Sequence, residues 1–325
     1  MRKKHFLFAS VLALLCGSST LHAQDFKLTS SGYFKNQGVD VMAFDDIYPE
    51  GHQGGVCIIM NGHRVATNGD IRLEATPGQW QPVPKQLDRK LGDNSITATL
   101  CYPDSSRHLT GFNPMIYPDL HLIYTVNVES KGKNIEVTVD LDRPIPQEFI
   151  GKVGFNLEFF PGSLFGKPWI MDGQSGIFPQ QPNSPLMTTQ PNYLHTGNYH
   201  DGKKSLADMD KLIGKGYSPI VADDIISEPY AKGTKFTSRP DDPYNKVTIE
   251  SLSGDLQLFD GRMNHNNGWF VLRSNIKPGV TKGAVKWIIT PNVVADWMYQ
   301  PVIQTSQIGY HPTQDKEAVI EMDIR

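Results

Sequence analysis

Residues 121–142, HLIYTVNVESKGKNIEVTVDLD, decide the fold of this chain. Within them, 121–129 and 134–142 alternate apolar and polar residues with a period of two, which is typical of half-buried β-strands. The connection between the two runs, 130–133, is short and contains Gly132, as hairpin loops commonly do. The stretch therefore predicts an antiparallel β-hairpin.

The same pattern recurs along the chain and predicts further strands at 153–160, 246–251, 269–273 and 284–290. Two more runs, 56–60 and 256–259, end at Asn61-Gly62 and Asp260-Gly261, which are turn dipeptides. Helical signals are confined to 205–213, where Ser205 can serve as an N-cap and Gly214 ends the run. Parallel strands need long crossover connections, and these are missing. The sequence thus predicts a mainly β fold, a large antiparallel β-sandwich.

Composition agrees with many short strands joined by turns. The 325 residues include 29 Gly and 23 Pro, aromatic residues make up 10%, and the net charge is -3. Lys and Arg are scattered singly, so no basic surface for nucleic acid is expected. The length suits one large sandwich at 24–300, although two domains are also compatible with it. The Pro- and Gly-rich stretch 162–200 is expected to be a long loop.

The amino terminus has the pattern of an export signal. Arg2, Lys3 and Lys4 precede an uncharged apolar run at 6–15, and Leu21 and Ala23 suit the recognition positions of a signal peptidase. Residues 1–23 are therefore expected to be a signal peptide, which places the mature chain in the periplasm, at the cell surface or outside the cell. A lipid anchor on Cys16 is the alternative. No later segment is apolar enough to span a membrane.

Motifs for metals and cofactors are missing from the sequence. His195 and His200 lack the spacing of a zinc site, and we expect neither a metal nor a cofactor. After signal removal, Cys57 and Cys101 remain inside predicted strands, where they are compatible either with free buried thiols or with a disulfide.

Adjacent carboxylates are the strongest catalytic candidates, because paired acids can cleave glycosidic bonds. Asp223-Asp224 and Asp241-Asp242 have turn-like contexts, which leaves Asp45 and Asp46. Neighbours on a strand point to opposite faces, so adjacency alone does not make a catalytic pair. We assign no catalytic residue, and Asp45 and Asp46 remain candidates for hydrogen bonding to a sugar.

Tryptophans offer a second route to carbohydrate binding, since their rings can stack on sugars. Trp80 and Trp169 have loop-like contexts, and Asp172 follows Trp169 closely. We therefore take Trp80, Trp169 and Asp172 as candidate carbohydrate-binding residues. A Trp within an alternating strand, such as Trp287, is expected to fill the core instead.

The carboxyl-terminal segment carries a family resemblance. Residues 302–312, VIQTSQIGYHP, followed by KEAVI at 316–320, resemble the start of the immunoglobulin-like domain that precedes the catalytic barrel in bacterial glycoside hydrolases of family nine, the cellulase family. The resemblance implies that 301–325 is the incomplete start of such a domain. Residues 24–300 resemble, in strand pattern, the extra amino-terminal sandwich of some members, of the mutarotase-like supersandwich class.

The catalytic apparatus of that family has no counterpart in the sequence. The family's Asp-Ala-Gly-Asp motif belongs to a separate α/α barrel, and Asn68-Gly69-Asp70, expected in a turn between strands, matches it only superficially. We therefore expect a non-catalytic accessory region of a secreted hydrolase that acts on a β-glucan or cellulose-like polysaccharide, with the catalytic barrel as its partner. The alternatives are a self-sufficient carbohydrate-binding protein and an enzyme that acts through the sandwich itself.

Overall fold

The protein is a two-layer antiparallel β-sandwich with a small additional sheet. The computed structural model describes residues 25–45, 54–74, 76–78, 84–102, 120–182, 228–263 and 268–322. These residues form two nine-stranded sheets and one two-stranded sheet, and every strand pair is antiparallel. The predicted fold class is confirmed.

The two large sheets draw their strands from the whole length of the sandwich. The first sheet contains β1 (Lys27–Leu28), β2 (Phe34–Asn36), β3 (Val39–Ala43), β4 (Val56–Met60), β5 (His63–Leu73), β10 (Val153–Phe159), β13 (Ala231–Gly233), β16 (Leu256–Asp260) and β17 (Phe270–Asn275). The second contains β6 (Lys85–Leu91), β7 (Ser95–Tyr102), β8 (Leu122–Lys131), β9 (Asn134–Leu141), β11 (Pro168–Met171), β12 (Gln174–Ile177), β14 (Lys235–Ser238), β15 (Val247–Ser251) and β18 (Val285–Pro291). Their spatial orders are β1-β2-β3-β4-β5-β10-β17-β16-β13 and β12-β11-β14-β15-β18-β9-β8-β7-β6.

The hairpin predicted at 121–142 is formed by β8 and β9. Lys131 pairs with Asn134, and Gly132 at the turn has a φ of +63°, a conformation that glycine adopts without strain. Alternate residues of both strands are buried, as the period-two pattern requires. The turn predicted at Asn61-Gly62 also forms, with both residues at positive φ.

Aromatic side chains join the two sheets across the core. The ring of Trp287 on β18 meets Phe155 on β10 edge to face at 5.0 Å, and its Nε1 donates a 3.0 Å hydrogen bond to Ser274 Oγ. Phe159 and Phe236 make a similar contact at 5.8 Å. Trp287 is therefore a core residue, as predicted, and its polar atom is satisfied inside the core.

The centre of the first sheet is buried on both faces. All seven residues of β10 are buried, and so are five of the six residues of β17. On β10 the core residues Phe155, Leu157 and Phe159 alternate with Asn156 and Glu158, so these two polar side chains point to the opposite face of the strand from the three core residues. A polar surface is thereby enclosed at the centre of the molecule.

The segment predicted as a loop from 162 onward contains strands. β11 and β12 pair as a hairpin, and β11 also pairs with β14. Short 3-10 turns occur at Gln147–Phe149, Pro161–Ser163 and Gly261–Met263. The helix predicted at 205–213 and the pair His195 and His200 lie outside the described residues.

The carboxyl-terminal segment forms its own sheet. β19 (Val302–Thr305) pairs with β20 (Ala318–Glu321), and all eight residues are exposed. The segment before it touches the sandwich, since Gln37 Nε2 donates a hydrogen bond to Trp297 O. Among the described residues, no helix has the length and apolarity to cross a membrane.

Candidate functional site

Six buried polar side chains meet on the three central strands of the first sheet. β5 and its continuation supply Asp70, Arg72 and Glu74, β10 supplies Asn156 and Glu158, and β17 supplies Arg273. Strand register brings them together, because Asn156 of β10 pairs with Asp70 on one side and with Arg273 on the other. Charged residues are seldom fully buried unless they are paired, so each of these side chains is expected to have a hydrogen-bond or charge partner.

One half of the cluster is a closed hydrogen-bond network, which we call the Arg273 network. Its members are Arg273, Glu74, Asn156, Asn275 and the carbonyl oxygen of Lys152. The guanidinium uses all five donors: Nε bonds Asn275 Oδ1 at 2.7 Å, Nη1 bonds Glu74 Oε1 at 3.2 Å and Asn156 Oδ1 at 3.0 Å, and Nη2 bonds Glu74 O at 3.0 Å and Lys152 O at 2.9 Å. Since Arg273 has no donor left for a ligand, this network is structural.

The other half surrounds an irregularity in β5, and we call it the β5 bulge site. Its members are Thr67, Asn68, Asp70, Arg72 and Glu158. The register with β10 shifts here, because Asn156 pairs with Asp70 whereas Glu158 pairs with Thr67. Asn68 lies in the left-handed region with a φ of +55°, a conformation that asparagine tolerates better than most residues. Bulges of this kind re-aim side chains and are common beside functional sites.

Close backbone packing makes the bulge possible. A Cβ atom on Gly69 would lie 2.6 Å from Val56 Cβ and 3.0 Å from Val56 O, so only glycine fits beside β4. On the other side of Gly69, Asn68 Nδ2 donates a 2.7 Å hydrogen bond to Glu158 Oε2 and fixes the position of that carboxylate. The side chain of Asn68 is thus turned toward β10.

Three acceptor atoms of the β5 bulge site lack a hydrogen-bond partner within the described part of the chain. They are Thr67 Oγ1, Asn68 Oδ1 and Asp70 Oδ2. The nearest cation to Asp70 Oδ2 is Arg72 Nη1, at 3.8 Å, and Arg72 itself makes a long bond of 3.5 Å to Ile71 O. Unsatisfied buried acceptors are costly, so their concentration over four residues points to a bound molecule or waters.

Burial strongly affects the titration of the two acids on this strand. Desolvation raises the pKa of Asp70 to about 6, although Arg72, the Ile71 N–H and the Tyr124 hydroxyl favour the charged form. Desolvation likewise raises the pKa of Glu74 to about 7 and outweighs the attraction of Arg273. Burial alone would lower the pKa of Arg72, but the neighbouring carboxylates, with Glu158 the strongest, raise it. Arg72 therefore stays charged while Asp70 and Glu74 can exchange protons near neutral pH.

Tyrosines from the second sheet close the site on one side. Tyr124 on β8 donates a 2.9 Å hydrogen bond from its hydroxyl to Asp70 Oδ1, and Ile71 N donates a second bond of 2.7 Å to the same oxygen. Burial raises the pKa of Tyr102 and of Tyr124, so both hydroxyls remain protonated donors. One oxygen of Asp70 is thus held by two hydrogen bonds, whereas the other has none among the described residues. Asn68 as a whole is half-buried, although its Oδ1 is buried.

Those candidate residues predicted from the sequence that the structure describes lie outside the β5 bulge site. Asp45 is exposed and pairs with Arg89 at 3.7 Å. Asp172 is also exposed and accepts hydrogen bonds from Thr234 N, Thr234 Oγ1 and Lys235 N, so it fastens β11 to β14. The loop context expected for Trp169 is wrong, because Trp169 lies on β11 with 7% of its surface exposed. Asp46 and Trp80 lie outside the described residues.

The sequence interpretation of Asn68-Gly69-Asp70 requires a correction. These residues do not form a turn between strands but lie within the eleven-residue strand β5, at its bulge. A polar Asn-Gly-Asp triplet inside a run of strand residues was the available signal, since glycine in a strand interior often marks a bulge or a close backbone approach. Asn, Gly and Asp are also the residues favoured in turns, and for this reason the triplet was predicted to be a turn.

Cysteines and metal ligands add nothing to the site. Cys57 on β4 is buried, Cys101 on β7 is half-buried, and the two do not form a disulfide with each other. The described ranges contain no group of three or more His, Cys, Asp or Glu side chains placed to hold a metal ion.

Comparison with known proteins yields only distant structural likenesses. No family model and no curated protein matches the chain. Among solved structures, a galactose mutarotase related enzyme from Lactobacillus acidophilus is 10% identical with a TM-score of 0.37, over 79% of this chain and 96% of that one. A galactose mutarotase-like protein from Lactobacillus casei ATCC 334 is 13% identical with a TM-score of 0.37, over 79% and 97%. The Slr1438 protein from Synechocystis sp. PCC 6803 is 10% identical with a TM-score of 0.35, over 82% and 96%. The fold class rests on the chain's own sheets.

Proposed function

We propose that this chain is a carbohydrate-binding β-sandwich, and that the β5 bulge site holds the sugar. The observation that carries the proposal is the set of three acceptors, Thr67 Oγ1, Asn68 Oδ1 and Asp70 Oδ2, that lie in one buried polar cluster and have no hydrogen-bond partner among the described residues. A ligand for this site must supply several donors in a small volume.

Sugar hydroxyls match these requirements. Each hydroxyl donates one hydrogen bond and accepts others, so a ring with several hydroxyls can satisfy the three acceptors and receive a bond from the Arg72 guanidinium. An anionic ligand fits less well, because the carboxylates of Asp70 and Glu158 would repel it. The site therefore favours a neutral polyhydroxyl compound.

We further propose that the chain is exported and acts as the accessory region of a glycoside hydrolase on a β-glucan or cellulose-like polysaccharide. Support comes from the signal-like pattern at 1–23 and from the resemblance at 302–320. The exposed two-stranded sheet, which lies apart from the sandwich core, is compatible with a link to a further domain. In this role the sandwich would hold substrate while a separate barrel cleaves it.

Calorimetric titration of the purified chain with neutral mono- and oligosaccharides tests the binding proposal. We expect Asp70→Asn and Asn68→Ala to weaken binding at least tenfold, because each removes an acceptor. Asn127→Ala is a matched control, since Asn127 Oδ1 accepts a 2.8 Å hydrogen bond from Thr97 Oγ1 on β7 and is remote in sequence from the bulge. Equal affinity in Asp70→Asn and wild type, with both chains folded, would remove the β5 bulge site from consideration.

A catalytic role for the same site is the second candidate. The pKa of Asp70, raised to about 6, is close to that of an effective general acid or base at neutral pH. Polarimetry of fresh α- and β-sugar solutions measures ring opening and closure directly. A rate enhancement that is lost in Asp70→Asn would establish catalysis, whereas binding without enhancement would support the accessory role.

A further inference from the structure

A pair of half-buried aromatic rings lies beside the β5 bulge site. Phe160 follows the last residue of β10, and Trp269 precedes the first residue of β17. Their ring centroids are 4.5 Å apart with the planes at 84°, an edge-to-face contact. Both side chains are partly exposed, in contrast to Trp169 and Trp287, which are buried in the core.

Strand register places this pair on the same side of the sheet as the polar cluster. Phe159, the last residue of β10, pairs with Phe270, the first residue of β17, and both point into the core. Side chains alternate along a strand, so Phe160 and Trp269 point the other way, together with Glu158. The polar site and the aromatic pair therefore form one continuous strip along β10.

The length of this strip exceeds one sugar ring. Phe160 is two residues from Glu158 and four from Asn156, which pairs with Asp70. At a rise of about 3.3 Å per residue, the aromatic pair lies about 13 Å along the strand from the level of Asp70. One pyranose cannot contact both ends, but linked sugars can.

We infer that Trp269 and Phe160 form a stacking subsite, and that the ligand of this surface is a neutral oligosaccharide rather than a single sugar. This inference rests on the proposed carbohydrate-binding function. One sugar unit bonds to the acceptors of the β5 bulge site, and the next units extend past Glu158 onto the rings. Aromatic faces bind the C–H side of a sugar, whereas the carboxylate and amide groups bind its hydroxyls.

Calorimetric titration with a monosaccharide and with the tetrasaccharide of the same sugar tests the inference. The probes are glucose, mannose, xylose and galactose, each compared with its β-linked tetrasaccharide. We expect the tetrasaccharide of the preferred sugar to bind at least tenfold more tightly than the monosaccharide. Trp269→Ala should reduce this gain to threefold or less and leave the monosaccharide affinity unchanged.

Further variants separate stacking from folding. Trp269→Phe keeps an aromatic ring and should retain part of the gain, and Phe160→Leu should lose part of it. Tyr244→Ala is the control for loss of an exposed aromatic side chain, since Tyr244 is 49% exposed on the loop between β14 and β15. If Trp269→Ala does not fold, tryptophan fluorescence of the wild-type chain tests the subsite instead. Only the tetrasaccharide should change the emission, and Trp269→Phe should abolish that change.

The outcomes distinguish the two proposals. The stacking subsite is overturned if the tetrasaccharide binds no more tightly than the monosaccharide. It is also overturned if Trp269→Ala weakens the binding of both sugars equally. In either case, Asp70-dependent binding still stands. Absence of binding by the wild-type chain to every probe contradicts the proposed function and the subsite together.

Discussion

The chemistry of this protein is concentrated in side chains that are buried at the centre of the first sheet. Asp70 and Arg273 are both almost completely inaccessible, but their surroundings differ. Arg273 has five partners for five donors, whereas Asp70 keeps one oxygen without a hydrogen bond in the described part of the structure. Burial alone does not identify a functional residue, and the count of unsatisfied atoms separates the two roles.

Stability should fall as pH rises, because of the two buried acids. The pKa of Asp70 is raised to about 6 and that of Glu74 to about 7 in the folded chain. For an acid whose folded pKa is raised, the stabilising contribution is complete below the unfolded pKa near 4 and is lost as pH rises through the folded pKa. At about 1.4 kcal/mol per pKa unit, Asp70 should contribute on the order of 1–2 kcal/mol of this loss between pH 5 and pH 8.

Urea denaturation at a series of pH values measures this effect. Asp70→Asn removes the titrating group, so its free energy of unfolding should vary less with pH than that of the wild type. Asp172→Asn is the comparison, because its carboxylate is exposed and its pKa is lowered by hydrogen bonds from Thr234. A wild-type stability that increases from pH 5 to pH 8 would show that these carboxylates are charged throughout.

Arg273 should be essential for stability and not for binding specificity. Arg273→Met leaves the buried Glu74 carboxylate without its cation and removes the hydrogen bonds to Glu74 O and Lys152 O, so we expect a loss of about 3–5 kcal/mol, typical of breaking a buried ion pair. Arg143→Met should change the free energy of unfolding by less than about 0.5 kcal/mol, since Arg143 is exposed and pairs only with its neighbour Asp142. Thermal unfolding of both variants compares them; similar losses would contradict the assignment of a structural network.

At the scale of the elements, strand β5 is the one whose irregularity matters. The bulge between its pairings with Glu158 and Asn156 displaces Asn68, which turns its side chain toward Glu158. A regular strand would send alternate residues to opposite faces, and Thr67, Asn68 and Asp70 could not all serve one site. Gly69 allows the displacement, because its missing Cβ makes room for Val56.

Replacement of Gly69 should therefore damage both the element and the site. Gly69→Ala puts a methyl group within 2.6 Å of Val56 Cβ, and we expect a destabilisation of about 1–3 kcal/mol from overpacking. Gly162→Ala is the control, because nothing lies within 4 Å of its added Cβ. Chemical denaturation gives the free energy of unfolding of each variant. If Gly69→Ala loses no more stability than Gly162→Ala, the bulge can relax and the close approach to β4 is not required.

At the scale of the whole molecule, the sandwich and the small carboxyl-terminal sheet are energetically separate. All eight residues of β19 and β20 are exposed, and two strands alone bury too little apolar surface to be independently stable. Ile303 and Ile320, opposite each other in the pair, remain 68% and 59% exposed. The small sheet therefore adds little to the core that holds β1–β18 together.

A chain ending at Gln300 should have nearly the same stability as the full chain. We expect a difference in the free energy of unfolding of less than about 0.5 kcal/mol, because no buried contact is removed. In the full chain, amide hydrogens of β19 and β20 should exchange much faster than those of β8 and β9. A truncation that costs more than about 2 kcal/mol would reveal packing of the small sheet on the sandwich.

The sequence alone predicted several of the strands, the hairpin at 121–142, the turn at Asn61-Gly62 and the antiparallel sandwich, because period-two alternation and turn chemistry are local properties. It did not determine the site. Asp70, Asn156 and Arg273 are far apart in the chain and meet only through strand register, and the bulge at Gly69 is a tertiary contact with Val56. Trp169 was expected in a loop and Trp269 at the start of a strand, and only the packing of the sheets made the first buried and the second half-exposed. Burial depends on what covers a residue, and that is a property of the assembled sheets.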